Sequence, residues 1–164
     1  MRLRNGFIIA GLLSTLLVLS ACAPSSDQST TVSAAPIDGT WIDASVVGDT
    51  AIVPLALVEQ NVNTNFSLDT GGRTLTFMAY LLDGQVQVRA NVCPPCRSRG
   101  FALDGNTLVC DTCATTFDAR DGSGIAGACV DYPKAAAQYR IVDGAITMAL
   151  VDLVGAYDET LIHG

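Results

Sequence analysis

Four of the cysteines in this sequence fall into one repeated spacing: Cys93-x-x-Cys96, thirteen intervening residues, then Cys110-x-x-Cys113. Two residues between thiols make a loop tight enough to aim both sulfurs at one ion. A hairpin with such a loop at each end can close a tetrahedral S4 shell. Thiolates suit an iron-sulfur cluster, a rubredoxin-like iron or zinc, and spacing alone does not choose among them. Pro94-Pro95 stiffens the first loop and deletes two backbone N–H donors that could bond ligand sulfurs. Arg97 and Arg99 read as solvent-facing loop residues, with partial compensation of an anionic centre as the alternative. Rubredoxin and zinc-ribbon knuckles usually carry Gly directly after the second Cys, whereas Arg97 and Ala114 stand there, which counts against those two centres.

The same spacing fits a thiol-disulfide oxidoreductase. Such motifs, however, normally open a helix whose N-terminus lowers the first thiol's pKa, and no helical pattern follows Cys96. Carboxylates are scattered without a recurring pair near a nucleophile, and the single His163 stands one residue from the C-terminus. General acid-base catalysis is left without its groups. Enzymatic activity stays open, and a non-catalytic electron carrier or metal-binding protein is the leading reading.

These loops need strands to hold them. Asp104-Gly105-Asn106 supplies a turn between the two pairs, and Thr107 to Val109 a strand that delivers Cys110. Further strands are expected over Thr50 to Glu59, Thr74 to Leu82, Gln85 to Asn91, Thr115 to Asp118, Gln138 to Val142 and Ala145 to Leu150. Gly71-Gly72, Asp83-Gly84, Asp121-Gly122 and Asp143-Gly144 offer the positive φ of tight turns. The best hairpin is Thr74 to Ala90, whose second arm points Val86, Val88 and Ala90 inward and Gln85, Gln87 and Arg89 outward. Trp41 is expected to anchor an edge of the core. Val53 to Val58 and Met148 to Val154 weakly echo one another, as two similar edge elements would. No helical period runs beyond two turns, so the fold class is mostly β, a small antiparallel sandwich or barrel.

Arg2 and Arg4, the apolar run Phe7 to Leu19, and Leu19-Ser20-Ala21-Cys22 form a secretory signal with a lipobox, residues 1–21. Cys22 is the expected lipidation site, and its acyl chains would tether the protein to a membrane. Ala23 rather than Asp after that Cys would permit sorting to an outer membrane in a diderm. Residues 22–37, rich in Ser, Thr, Ala and Pro, read as a flexible stalk reaching roughly 20 Å, and 38–164 as the folded Cys domain. Without Arg2 and Arg4, seven basic residues face 16 acidic ones. Such an acidic chain, with a single Lys, excludes a nucleic-acid partner. With Cys22 lipidated, five exported thiols remain, an odd number that does not suit a simple disulfide framework. Cys129 is then either a fifth participant at the centre or buried and inert.

Val53-Pro-Leu, Phe77-Met-Ala-Tyr80, Cys93-x-x-Cys96, Gly100-Phe, Leu108-Val-Cys110-x-x-Cys113, Thr116-Phe117, Gly127-Ala-Cys129 and Tyr139-x-x-Val142-Asp-Gly-Ala-Ile146 together resemble the membrane iron-sulfur FtrD-like family of bacterial proteins over roughly residues 50 to 155. The resemblance implies metal ligation by Cys93, Cys96, Cys110, Cys113 and Cys129, and work with a membrane iron-transport or redox complex. The segment is also similar to the Rieske fold, with Phe117-Asp118 and the Gly122 to Ala128 loop following the cluster loops. By that likeness Cys96 and Cys113 stand where a Rieske centre has His, so all-thiolate ligation is implied instead. The resulting expectation is a membrane-tethered iron-sulfur lipoprotein acting in electron transfer or iron handling. The alternatives are a zinc- or disulfide-stabilised adaptor and the oxidoreductase above.

Overall fold

The computed structural model describes residues 35–162, so the expected leader, Cys22, most of the stalk and His163 lie outside the described residues. Along the chain come β1 (Thr40–Trp41), β2 (Ser45–Val47), β3 (Thr50–Pro54) and α1 (Leu55–Asn61). A long meander follows, of β4 (Asn63–Asp69), β5 (Thr74–Leu82) and β6 (Gln85–Ala90). Next are β7 (Phe101–Asp104), β8 (Thr107–Cys110), β9 (Thr116–Asp118) and β10 (Gly124–Ala126), then β11 (Arg140–Val142), β12 (Ala145–Ala149) and α2 (Leu150–Leu161). The strands form three four-stranded sheets, ordered β1-β4-β5-β6, β10-β9-β8-β7 and β11-β12-β3-β2. Among their pairings only β1 with β4 is parallel, so the fold is mostly β and mostly antiparallel, as expected.

Turn chemistry sets the hairpins. Asp83 and Gly84 both take positive φ (51° and 75°), as do Asp143 and Gly144 (49° and 75°), the backbone that matches strand twist in a two-residue loop. Strand β5 divides the interior. Leu75, Phe77 and Ala79 face one core, with Val86, Val88 and Ala90 of β6 and Leu153, Ala156 and Tyr157 of α2. On the opposite face Met78, Tyr80 and Leu82 join Phe101, Leu103, Leu108, Phe117 and the cysteines. A strand buried on both sides reads as a continuous apolar run, which is how Thr74 to Leu82 reads.

That second buried face overturns the expected orientation of Arg89. The alternation argument gave β6 one wet side, but that side lies under the segments around Arg120, Asp121 and Lys134, and Arg89 is 3% exposed. The expected strand Thr50 to Glu59 stops at Pro54, because Leu55-Ala-Leu-Val-Glu-Gln-Asn turns directly into α1. Likewise Leu150 opens a twelve-residue helix where only short helical periods were expected. The weak echo thus marks two strand-to-helix junctions. Their strands pair centrally, Val53 opposite Ile146, rather than lying at edges. Trp41 is 54% exposed and does not anchor the core. Strand β4 escaped the pattern because its inward residues include amides. Asn63 donates to the carbonyls of Ile37 and Phe101, both at 2.9 Å, and Asn65 accepts from Asn91 at 2.8 Å. Ile37, placed at the end of the stalk, exchanges two backbone hydrogen bonds of 2.8 Å with Leu103.

Candidate metal centre

The β7–β8 hairpin carries a knuckle at each end, and the two knuckles share one backbone pattern. Cys93 N–H donates to the Ser98 carbonyl (2.9 Å) and Arg97 N–H to the Cys93 carbonyl (2.7 Å). Seventeen residues on, Cys110 N–H donates to Thr115 (2.9 Å) and Ala114 N–H to Cys110 (2.9 Å). Arg97 and Ala114 take φ of 60° and 54°, so the left-handed turn forms without the glycine whose absence counted against knuckles of this kind. Arg97 and Arg99 are exposed, as expected. Strand β7 follows the first pair, so Cys93 has no helix N-terminus to activate it.

Between them the knuckles bring four sulfurs together. Those of Cys93, Cys96, Cys110 and Cys113 all lie within 4.8 Å of one another, with Cys96 and Cys110 at 3.6 Å. A tetrahedral centre with metal–sulfur bonds of about 2.3 Å separates its sulfurs by about 3.8 Å, so small rotamer adjustments close the shell. Four thiol donors around one point suit a soft metal, and this quartet could hold iron, alone or in an iron-sulfur cluster. The first Cys of each knuckle is buried and the second half-exposed, which gives the centre a dry floor and an open rim. Cys129 is buried just outside the quartet, its sulfur 3.7 Å from that of Cys113. All five are free thiols.

The surroundings treat the thiols unequally. Burial pushes Cys93 strongly up, and its hydrogen bonds with Cys96 and Cys129 push the same way. Burial also raises Cys110, against hydrogen bonds from Ser98 and the N–H groups of Cys113 and Thr112. Pro95 removes the equivalent of the Thr112 donor from the first knuckle, as its sequence implies. At Cys113 desolvation acts upward but is outweighed, chiefly by Thr115, whose hydroxyl oxygen is 3.2 Å from the sulfur, and the thiol is brought down to about 6. Thr115 also accepts the Cys129 N–H at 3.2 Å, tying the fifth thiol to the second knuckle. Gly127 has φ 118°, and a Cβ there would meet the Thr115 backbone at 2.7 Å, so this loop depends on glycine.

Two buried cations were not anticipated. Arg89 donates to Tyr80 Oη (3.0 Å) and to the carbonyls of Asp121 (2.9 Å), Lys134 (2.8 Å) and Arg120. Lys134 is fully buried, with Nζ donating to the Val92 carbonyl at 2.9 Å. Desolvation lowers the pKa of Lys134, and the charges of Cys93, Cys110, Cys129 and Cys96 oppose that. The one available signal was its being the single lysine in the chain.

No curated protein matches this chain. Two solved structures are similar in part. One is a chain of a complex of reduced oxygenase and oxidized ferredoxin in carbazole 1,9a-dioxygenase, at 17% identity and TM-score 0.45, covering 53% of this chain and 81% of that one. The other is a ferredoxin of Sphingomonas yanoikuyae B1, at 24% identity and TM-score 0.42, covering 50% and 79%. Residues 58–158 match the family model described as membrane iron-sulfur containing protein FtrD-like, in agreement with the sulfur quartet, and the chain belongs to that family.

Proposed function

We propose that this protein is a one-electron carrier whose iron-sulfur centre is held by Cys93, Cys96, Cys110 and Cys113. The observation that carries the reading is the convergence of those four sulfurs within 4.8 Å on a single hairpin, two buried and two at the rim. The bound centre would supply one-electron chemistry at a potential tuned by its burial and hydrogen bonds. The chain's own part is to exclude water and to present an edge. Phe101 and Phe117, edge to face at 5.8 Å, close the floor. Cys96 and Cys113 form the exposed side, where a redox partner can approach. Cys129 stands beside Cys113 as a neighbour rather than a fifth ligand.

Among the described residues no helix is long and apolar enough to cross a membrane. The family is one of membrane proteins, and the lipobox ending at Cys22 supports a lipid tether, with a membrane iron-transport or redox complex as partner. The protein is to be purified without oxygen and its iron, acid-labile sulfide and visible absorbance measured. A chromophore bleached by dithionite, and loss of iron on Cys→Ser change at 93, 96, 110 or 113, are the expected results. Full iron content in any of those four variants, or a colourless zinc form in the native protein, overturns the reading.

A further inference from the structure

Lys134 is placed where a soluble protein rarely puts an ammonium. Its side chain is 0% exposed, and neither ion pair among the described residues includes it. Nζ makes one hydrogen bond, to the carbonyl of Val92, the residue before Cys93. Beyond that it faces rings, 4.4 Å from the Phe117 centroid and 5.4 Å from that of Phe101. Phe101 pairs directly with Cys110 across the hairpin. The ammonium therefore sits on the inner side of the centre, towards its two buried sulfurs. Its backbone is pinned there too. Gly122 accepts the Lys134 N–H at 2.8 Å, and the Lys134 carbonyl lies so close that a Cβ on Gly122 would meet it at 2.1 Å.

A dry charge survives only where something answers it. Aromatic faces supply part of that. The negative charges that act on the ammonium are those of Cys93, Cys110, Cys129 and Cys96, and ligand cysteines become thiolates on binding metal. We propose that Lys134 is an internal counter-charge for the thiolate centre, a positioning residue that strengthens metal binding and favours the reduced state. The inference rests on the four-cysteine reading above. Reduction adds one electron, taken from a mediator poised by an electrode, with no bond formed or broken. A fixed positive charge inside the low-dielectric floor stabilises that added electron more than it stabilises the oxidised form.

The test compares the full-length protein with Lys134→Met, which keeps length and removes charge, and Lys134→Arg, which keeps charge. We expect Lys134→Met to lower the one-electron reduction equilibrium at least tenfold, about 59 mV. Its metal-free form should bind Zn2+ at least tenfold more weakly. Lys134→Arg should stay within threefold of native in both. Native potential and native Zn2+ affinity in Lys134→Met overturn the proposal, as does an equal shift in both variants, which would mark a packing role. If Lys134→Met holds neither metal while Lys134→Arg does, the charge is required and the proposal stands; if both fail alike, it falls. A native protein without iron rejects the electron-carrier reading instead, and the three Zn2+ affinities still decide the role of the charge.

Discussion

Arg89 spends its guanidinium on backbone. Three carbonyls, from Arg120, Asp121 and Lys134, and the Tyr80 hydroxyl accept from it, and Tyr80 in turn donates to Ala119 at 2.6 Å. One buried side chain thereby fastens both segments that flank the fifth cysteine to the central strands. Replacing it with Met takes this donor from the buried Tyr80 hydroxyl and Lys134 carbonyl and from the half-buried carbonyls of Arg120 and Asp121. The expected cost is more than about 3 kcal/mol in urea unfolding of the metal-free protein. Retention of native stability in Arg89→Met would remove the fastening role. Thr115 acts more locally. Thr115→Val withdraws the main hydrogen bond to Cys113, so the alkylation rate of the metal-free protein should lose its inflection near 6 and acquire one closer to the ordinary thiol value. Neither residue stands out in sequence. Arg89 occupies an outward position of a clean alternation, and only the second layer beneath that strand makes it internal. The cysteines, by contrast, were legible because their spacing is itself the geometric constraint.

At the level of elements, the two cores separate stability from the site. Helix α2 buries Leu153, Ala156 and Tyr157 against Phe77 and the β6 valines, on the face of β5 turned away from the cysteines. Leu153→Ala should therefore cost about 2–5 kcal/mol in global unfolding. Iron content and reduction potential should be unchanged while the variant remains folded. A shifted potential in that variant would show that the two faces of β5 are coupled. Glycine positions behave in the opposite way. Gly127→Ala puts a methyl group against Thr115 in a backbone conformation that L residues avoid, and should release metal before it lowers the unfolding midpoint of the other core. Hairpins were readable because an Asp-Gly pair between apolar arms dictates its own turn. The helices were not, because α1 and α2 each continue an apolar strand without a capping side chain, and no local signal marks the change of period. Strand β4 hid for a different reason, since buried amides look like surface to a hydrophobicity pattern.

For the molecule as a whole, the thiols make the stability of the metal-free protein pH-dependent in both directions. Cys113 is held at about 6 when folded against 9.0 ordinarily, so over that interval the unfolded chain binds the extra proton. Stability therefore rises with pH from about 6 to 9. Lys134, lowered by desolvation, pulls the same way up to its ordinary 10.5. Cys93 and Cys110 are raised by burial, so above 9.0 the unfolded chain ionises them while the folded one resists. Tyr80, pushed up to about 12 by desolvation, adds to that loss above 10.0. Three groups opposing one bring stability down again in the alkaline range. Urea midpoints of the metal-free protein should pass through a maximum near pH 9. Metal binding fixes all ligands as thiolates and removes their titration from the folded state, so the loaded protein should keep gaining stability relative to the metal-free one as acidity falls, until the thiols of the folded metal-free protein have themselves ionised. The two curves, measured side by side from pH 6 to 10, converge at the acid end if the cysteines are the ligands. Parallel curves would mean that the metal is held by groups other than these thiols.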